Sequence, residues 1–173
     1  MRKSAKTKPC ILSKGALVIF AAILISFAPS VFPENIEAPS FAQRDIRGDL
    51  QSLSKYEGEA VVLYFWATWC PWCRKDVKNV QTMYARFHPQ GVAFISISLD
   101  QSLPALEQFA EANQIHYPII FDGQGWRNEI AQLYHVTATP AVVLLDREHR
   151  ICYMGGEMSK LPEMLQKFNL LKK

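Results

Sequence analysis

A strand-length apolar run that leads directly into two closely spaced cysteines constrains this chain more than any other feature. Residues 60–67 read AVVLYFWA, without a charged side chain and rich in β-branched and aromatic residues. Such a run is typical of a strand buried on both faces of a sheet. Cys70 and Cys73 follow at once, which predicts that the strand ends at the pair.

An amphipathic helix is predicted to begin at the cysteines. Apolar residues recur there at steps of three and four, at Val77, Val80, Tyr84 and Phe87. Cys70 then lies at the helix N-terminus, where the helix dipole favours a thiolate. Cys73 lies one turn further on the same face, within disulfide reach and shielded. We therefore expect Cys70 to be the nucleophile and Cys73 the resolving thiol.

The residues around the pair are expected to contact a partner protein. Pro71 suits an early helical position, because its missing N–H costs little there. Trp72 is predicted to be exposed beside the sulfurs, whereas Trp66 is expected to pack in the core. The sequence leaves open whether Trp69 is exposed or packs in the core.

The rest of the chain predicts an α/β domain with a mixed central sheet flanked by helices. A short hairpin with a turn at 47–48 comes first, and strands are predicted at 92–99 and 117–121. Helices are expected after Ser102, over 126–133 and over 159–170, and the runs AVVLLD and ICYMG predict an antiparallel hairpin. No internal repeat interrupts this order.

The sequence resembles the thioredoxin superfamily over about residues 38–170. The motif VVLYFWATWCPWC at 61–73 and the segment TATPAVVLLD at 137–146 carry the resemblance. The hairpin sequence SFAQRDIRGDLQSLSKYEGEA is similar to that of membrane-anchored or periplasmic TlpA/ResA reductases and of the CcmG/DsbE reductases of cytochrome c maturation. The resemblance implies a thioredoxin-like fold with an N-terminal hairpin extension. It also implies that Pro140 follows a cis peptide bond and lines the substrate groove together with Thr139.

This resemblance implies an exported thiol:disulfide oxidoreductase that needs no metal or organic cofactor. Its expected substrates are other exported proteins with cysteines, and reduction is favoured because the nearest resemblance is to reductases. A reductase outside the cytoplasm needs a membrane relay of the DsbD or CcdA kind. A disulfide-forming oxidase or an isomerase of the same fold is the alternative.

Two positions depart from the family pattern. Cytoplasmic thioredoxins carry a buried aspartate where this chain has Tyr64, a weak proton acceptor at neutral pH. The proton of Cys73 therefore has no obvious acceptor, and Glu57, Glu59 or solvent are the candidates. The dipeptide Pro71-Trp72 is also unusual, so the direction of electron flow does not follow from the motif.

Three other classes compete with this interpretation. A zinc site would combine Cys70 and Cys73 with His149 and Cys152, although Cys152 lies in an apolar strand and is expected to be a buried small side chain. A peroxiredoxin would need threonine three residues before its reactive cysteine, where this chain has Ala67. A purely structural disulfide over so short a loop would add only about 1–2 kcal/mol.

The N-terminus resembles an export segment. Five basic residues and no acidic one precede the apolar run at 15–32, and without those five the rest has 14 basic against 16 acidic residues. We expect residues 1–33 to be a cleaved signal peptide or a retained membrane anchor with a short linker, and residues 38–173 to form the domain. That predicts a periplasmic or extracytoplasmic location, with membrane contact through residues 15–33 and no nucleic-acid partner. Cys10 is expected to be incidental.

Overall fold

The computed structural model describes residues 36–171, and a five-stranded mixed sheet forms their centre. Helices and 3-10 turns connect most of the strands. The elements are β1 (Ala42–Arg44), β2 (Leu50–Ser52), β3 (Ala60–Trp66), α1 (Pro71–Phe87), β4 (Val92–Ser98), α2 (Leu103–Ala112), β5 (Ile119–Phe121), α3 (Glu129–Leu133), β6 (Ala141–Leu145), β7 (Ile151–Gly155) and α4 (Leu161–Lys167). This thioredoxin-like arrangement confirms the predicted fold class.

The strand order brings distant parts of the sequence to one end of the sheet. The order is β5-β4-β3-β6-β7, with β3, β4 and β5 parallel and β6 antiparallel to β3. Trp66 at the end of β3 pairs with Ser98 at the end of β4, and Phe65 pairs with Ala141 at the start of β6. The segments after β3, after β4 and before β6 therefore meet.

The core explains why β3 and β4 are almost entirely apolar. Every residue of both strands is buried, which requires packing on both faces of the sheet. Residues of α1, α2, α3 and α4 belong to the same apolar cluster. Burial of this kind supplies the main favourable term in folding and holds the ends of β3 and β4 in place.

The N-terminal hairpin forms as predicted, and the chain around it reaches both edges of the central sheet. Strands β1 and β2 pair as a separate two-stranded sheet. Before the hairpin, Glu37 bridges to Arg150 beside β7, and after β1, Asp45 bridges to Ile120 in β5. Ile36 and Ala38, at the predicted start of the domain, are thus hydrogen-bonded to the β6–β7 hairpin.

Two predicted helices differ in extent from the observed ones. The helix expected over 126–133 is divided, because the buried Asn128 ends a 3-10 turn at Gly125–Arg127 and caps α3 through its side chain. Trp126 and Leu133 consequently lie exposed instead of lining one apolar face. The last helix begins as a 3-10 turn at Met158–Lys160 and ends at Lys167.

The expected export segment lies outside the described residues, and so does Cys10. Within residues 36–171, none of the helices has the length and hydropathy needed to cross a bilayer.

Candidate active site

The cysteine pair forms a disulfide at the N-terminus of α1. The Cα atoms of Cys70 and Cys73 are 5.2 Å apart. Cys70 is the N-cap residue, and its Sγ accepts a hydrogen bond of 3.1 Å from the backbone N–H of Cys73. Pro71 occupies the first helical turn, as predicted. The same N–H and the helix dipole stabilise negative charge on the Cys70 sulfur when the disulfide is reduced.

The two sulfurs differ in accessibility in the expected sense, but the difference is small. Cys73 is completely buried, and Cys70 is only 3% exposed. Cys70 is therefore the more accessible of the two cysteines, although only slightly.

The loop before β6 contacts the disulfide. The Thr139–Pro140 peptide bond is cis, as the resemblance implied. The carbonyl oxygen of Thr139 lies 3.6 Å from the Cys70 Sγ. Because Ala141 pairs with Phe65 near the end of β3, the sheet register itself brings this loop to the cysteines.

Three exposed tryptophans lie in the segment that carries the disulfide or pack against it. Trp72 is 68% exposed, as predicted, and the Lys75 ammonium lies 4.9 Å from its ring centroid. Trp69, for which the sequence left both environments open, is 52% exposed and packs against Trp126 with ring centroids 6.0 Å apart. Trp66 is buried, as expected.

A buried carboxylate holds the loop that precedes Cys70. The backbone N–H of Thr68 donates to both Asp100 oxygens, at 3.2 and 3.0 Å, and the Thr68 hydroxyl donates to Oδ1 at 2.6 Å. The Ser98 hydroxyl donates to Oδ2 at 2.7 Å. Sequence reasoning missed Asp100 because its main partner lies 32 residues away. Its position directly after a buried strand was the available signal.

A family model described as AhpC/TSA matches residues 35–154, which is more than half of the chain and includes the cysteine pair and the Thr139–Pro140 loop. The chain belongs to the AhpC/TSA family. It is 29% identical over 151 residues to the thiol-disulfide oxidoreductase ResA of Geobacillus kaustophilus, with 83% of this chain and 85% of that protein covered. It is 31% identical over 134 residues to ResA of Bacillus thuringiensis subsp. konkukian, with 76% of each chain covered.

The solved structures agree with these relatives. A crystal structure from Chlorobium tepidum, described as a thiol:disulfide interchange protein DsbE, superposes with a TM-score of 0.68 at 25% identity and covers 78% of this chain and 94% of that one. Within the AhpC/TSA family, this chain is a ResA-like thiol-disulfide oxidoreductase with a CxxC pair, Cys70 and Cys73.

An acidic side chain that the sequence analysis did not consider lies beside the site. Asp76 is half-buried one turn after Cys73 on α1 and accepts a hydrogen bond of 2.9 Å from Asn79. It lines a cavity of about 270 Å³ together with Trp72 and Pro140. Burial first, and then the charge of Asp76, raises the pKa of Tyr64 above its ordinary value.

The two glutamates considered as proton acceptors lie elsewhere. Glu57 and Glu59 precede β3, whereas the cysteines follow it. Seven strand residues at about 3.3 Å each separate the two ends by roughly 20 Å. Neither glutamate is positioned to accept a proton from Cys73 directly.

The geometry supports the zinc site and the peroxiredoxin site less well than the disulfide site. The described portion of the chain contains no group of three or more side chains placed to bind a metal. The imidazole Nε2 of His149 lies 3.2 Å from the carbonyl oxygen of Tyr56, and Cys152, expected to be buried, is only partly so. Ala67, where a peroxiredoxin would have threonine, is fully buried and has no hydroxyl group.

Proposed function

We propose that this protein is an exported disulfide reductase in which Cys70 attacks a disulfide of another exported protein and Cys73 resolves the intermediate. The observation that carries the proposal is the Cys70–Cys73 disulfide at the N-terminus of α1, 3.6 Å from the Thr139 carbonyl, in a chain related to ResA proteins. The basic and apolar N-terminal sequence supports export.

The proposed reaction transfers two electrons from the protein to its substrate. The Cys70 thiolate attacks one sulfur of the substrate disulfide, which forms a mixed disulfide and releases the other sulfur as a thiolate. The Cys73 thiolate then attacks the Cys70 sulfur and releases the second substrate thiol. The protein is left with the Cys70–Cys73 disulfide seen in the structure.

The second step requires Cys73 to lose a proton in a buried position. Asp76 is proposed to receive that proton, because it follows Cys73 by one helical turn and lines the cavity that Trp72 and Pro140 border.

The remaining parts of the proposal concern partners and substrate contacts. Trp69, Pro71, Trp72, Thr139 and Pro140 are proposed to contact the substrate chain around the reacting sulfur. Regeneration of the two thiols outside the cytoplasm needs a membrane protein that relays electrons, and the segment 15–33 is proposed to hold or direct the chain to the membrane.

The reduction potential of the Cys70–Cys73 couple tests the direction of electron flow. We expect a value near or below about −220 mV, on the thioredoxin side of the scale. A value near about −120 mV would make the protein an oxidant and overturn the proposed direction.

The roles of the two cysteines are tested by trapping. The variant Cys73→Ser should accumulate a mixed disulfide with a peptide substrate, whereas Cys70→Ser should not react. Rapid peroxide consumption that survives in Cys73→Ser would instead indicate a peroxidase.

A further inference from the structure

Trp126 is an exposed tryptophan that reaches the active-site segment through its contact with Trp69, and it lies outside the CxxC motif and the Thr139–Pro140 loop. It is 42% exposed and packs against Trp69, the residue that immediately precedes Cys70. Large aromatic side chains usually have much of their surface buried, so a half-exposed pair at this position is informative.

The backbone that carries Trp126 is held firmly at several points. Trp126 lies in the 3-10 turn that the buried Asn128 ends. The backbone N–H of Asn128 donates to the carbonyl of Gly125 at 3.0 Å, and the side chain of Gln132 donates to the carbonyl of Trp126 at 2.7 Å. Gly125 has φ of +59°, which an L side chain adopts at a cost. The ring is therefore presented to solvent by a fixed turn.

We propose that Trp126 and Trp69 together bind an apolar side chain of the substrate that lies next to its reacting cysteine. This inference rests on the proposed function, because it concerns the protein segment that Cys70 attacks. Trp126 then determines substrate preference without taking part in the transfer of electrons.

The reaction itself specifies what occupies this surface. A mixed disulfide with Cys70 places the substrate's cysteine against α1, so the residues flanking that cysteine must cross the surface around it. Trp72 borders that surface from within the CxxC motif, while Trp69 and Trp126 extend it from the preceding loop and from the turn before α3. The aromatic pair adjoins the site of attack through Trp69, which precedes Cys70 in the sequence, and it offers exposed apolar area.

The test compares two synthetic peptide disulfides that differ only in whether leucine or serine precedes the cysteine. The second-order rate constant for reduction is measured for the full chain and for Trp126→Ala and Trp126→Phe. Bis(2-hydroxyethyl) disulfide, which has no flanking residue, is the third substrate. Leu50→Ala is the matched control, since Leu50 is also exposed but lies in β2.

We expect the wild type to prefer the leucine peptide and Trp126→Ala to lose about tenfold in rate with that peptide alone, a common effect of truncating an interface tryptophan. Trp126→Phe should recover most of the rate, and Leu50→Ala should change nothing. Equal losses with all three substrates would show a structural role and overturn the inference, as would no loss.

The proposed function fails in a different way. A wild-type protein that reduces none of the three disulfides contradicts both statements. A wild-type protein that reduces all three, with no preference between the peptides, contradicts only the assignment of Trp126.

Discussion

Replacing Thr68 by valine tests whether the Asp100 carboxylate anchors the active-site loop. Valine has nearly the same shape as threonine, so the substitution removes one hydrogen bond and little else. That bond joins the Thr68 hydroxyl to Asp100 Oδ1 at 2.6 Å. The backbone N–H of Thr68 and the hydroxyl of Ser98 still donate to the carboxylate.

The expected loss follows from the charge and burial of the acceptor. Hydrogen bonds to charged groups contribute about 1.5–3 kcal/mol, and Asp100 is buried, so solvent replaces the lost donor poorly. We expect Thr68→Val to lower the free energy of unfolding by about 1.5–3 kcal/mol. Asp100→Ala leaves three donors without their acceptor and should cost more, at least about 3 kcal/mol, since each buried unpaired donor costs about 1–3 kcal/mol.

Urea unfolding followed by circular dichroism measures these differences. The control is Thr82→Val, which removes a hydroxyl bond to the Lys78 carbonyl on the exposed side of α1 and should cost less than about 0.5 kcal/mol. Repeating Thr68→Val in an Asp100→Asn background should reduce its effect, because the two side chains act together. If Thr68→Val and Asp100→Ala both cost no more than the control, Asp100 does not anchor the loop.

Three further predictions concern stability. Tyr64→Phe should raise the free energy of unfolding by about 1 kcal/mol, because the Tyr64 hydroxyl is buried with no hydrogen-bond partner among the described residues; a loss of similar size would contradict this. Burial, with smaller contributions from Asp45 and other groups, raises the pKa of Tyr56 to about 12. The unfolded chain loses that proton near pH 10, so this stabilisation is complete below about pH 10 and is lost as the pH rises towards 12; by urea unfolding, the stability of the wild type relative to Tyr56→Phe should fall over that pH range, and a constant difference would contradict this. Ser102→Ala should cost about 1 kcal/mol by urea unfolding, since the Ser102 hydroxyl caps α2, and it should leave the reduction potential of the disulfide unchanged.

The sequence predicted the parts of the fold that depend on local pattern. An uncharged run of β-branched and aromatic residues forms β3, and the change to helical spacing after Cys73 forms α1. Ser102 caps α2 as expected. A serine followed by a proline in the first helical turn is a local signal for the start of a helix. The cysteines' position at a helix N-terminus followed from these boundaries.

The parts that the sequence did not predict depend on contacts between distant residues. Asp100 follows a strand like many surface aspartates, and only the pairing of β3 with β4 brings it to Thr68. Trp126 has helical spacing with Ile130, yet the burial and capping role of Asn128 divides the helix and turns the ring outward. Hydropathy spacing cannot reveal that division, because it depends on tertiary packing around Asn128.

The placement of the chain before and after β1 also bears on self-association. Exposed strand edges are templates for pairing with other chains. Here backbone groups near Glu37 occupy the β7 side of the central sheet and those near Asp45 occupy the β5 side. Both edges of the central sheet are thus partly occupied by the protein's own chain, which protects the sheet against edge-to-edge aggregation.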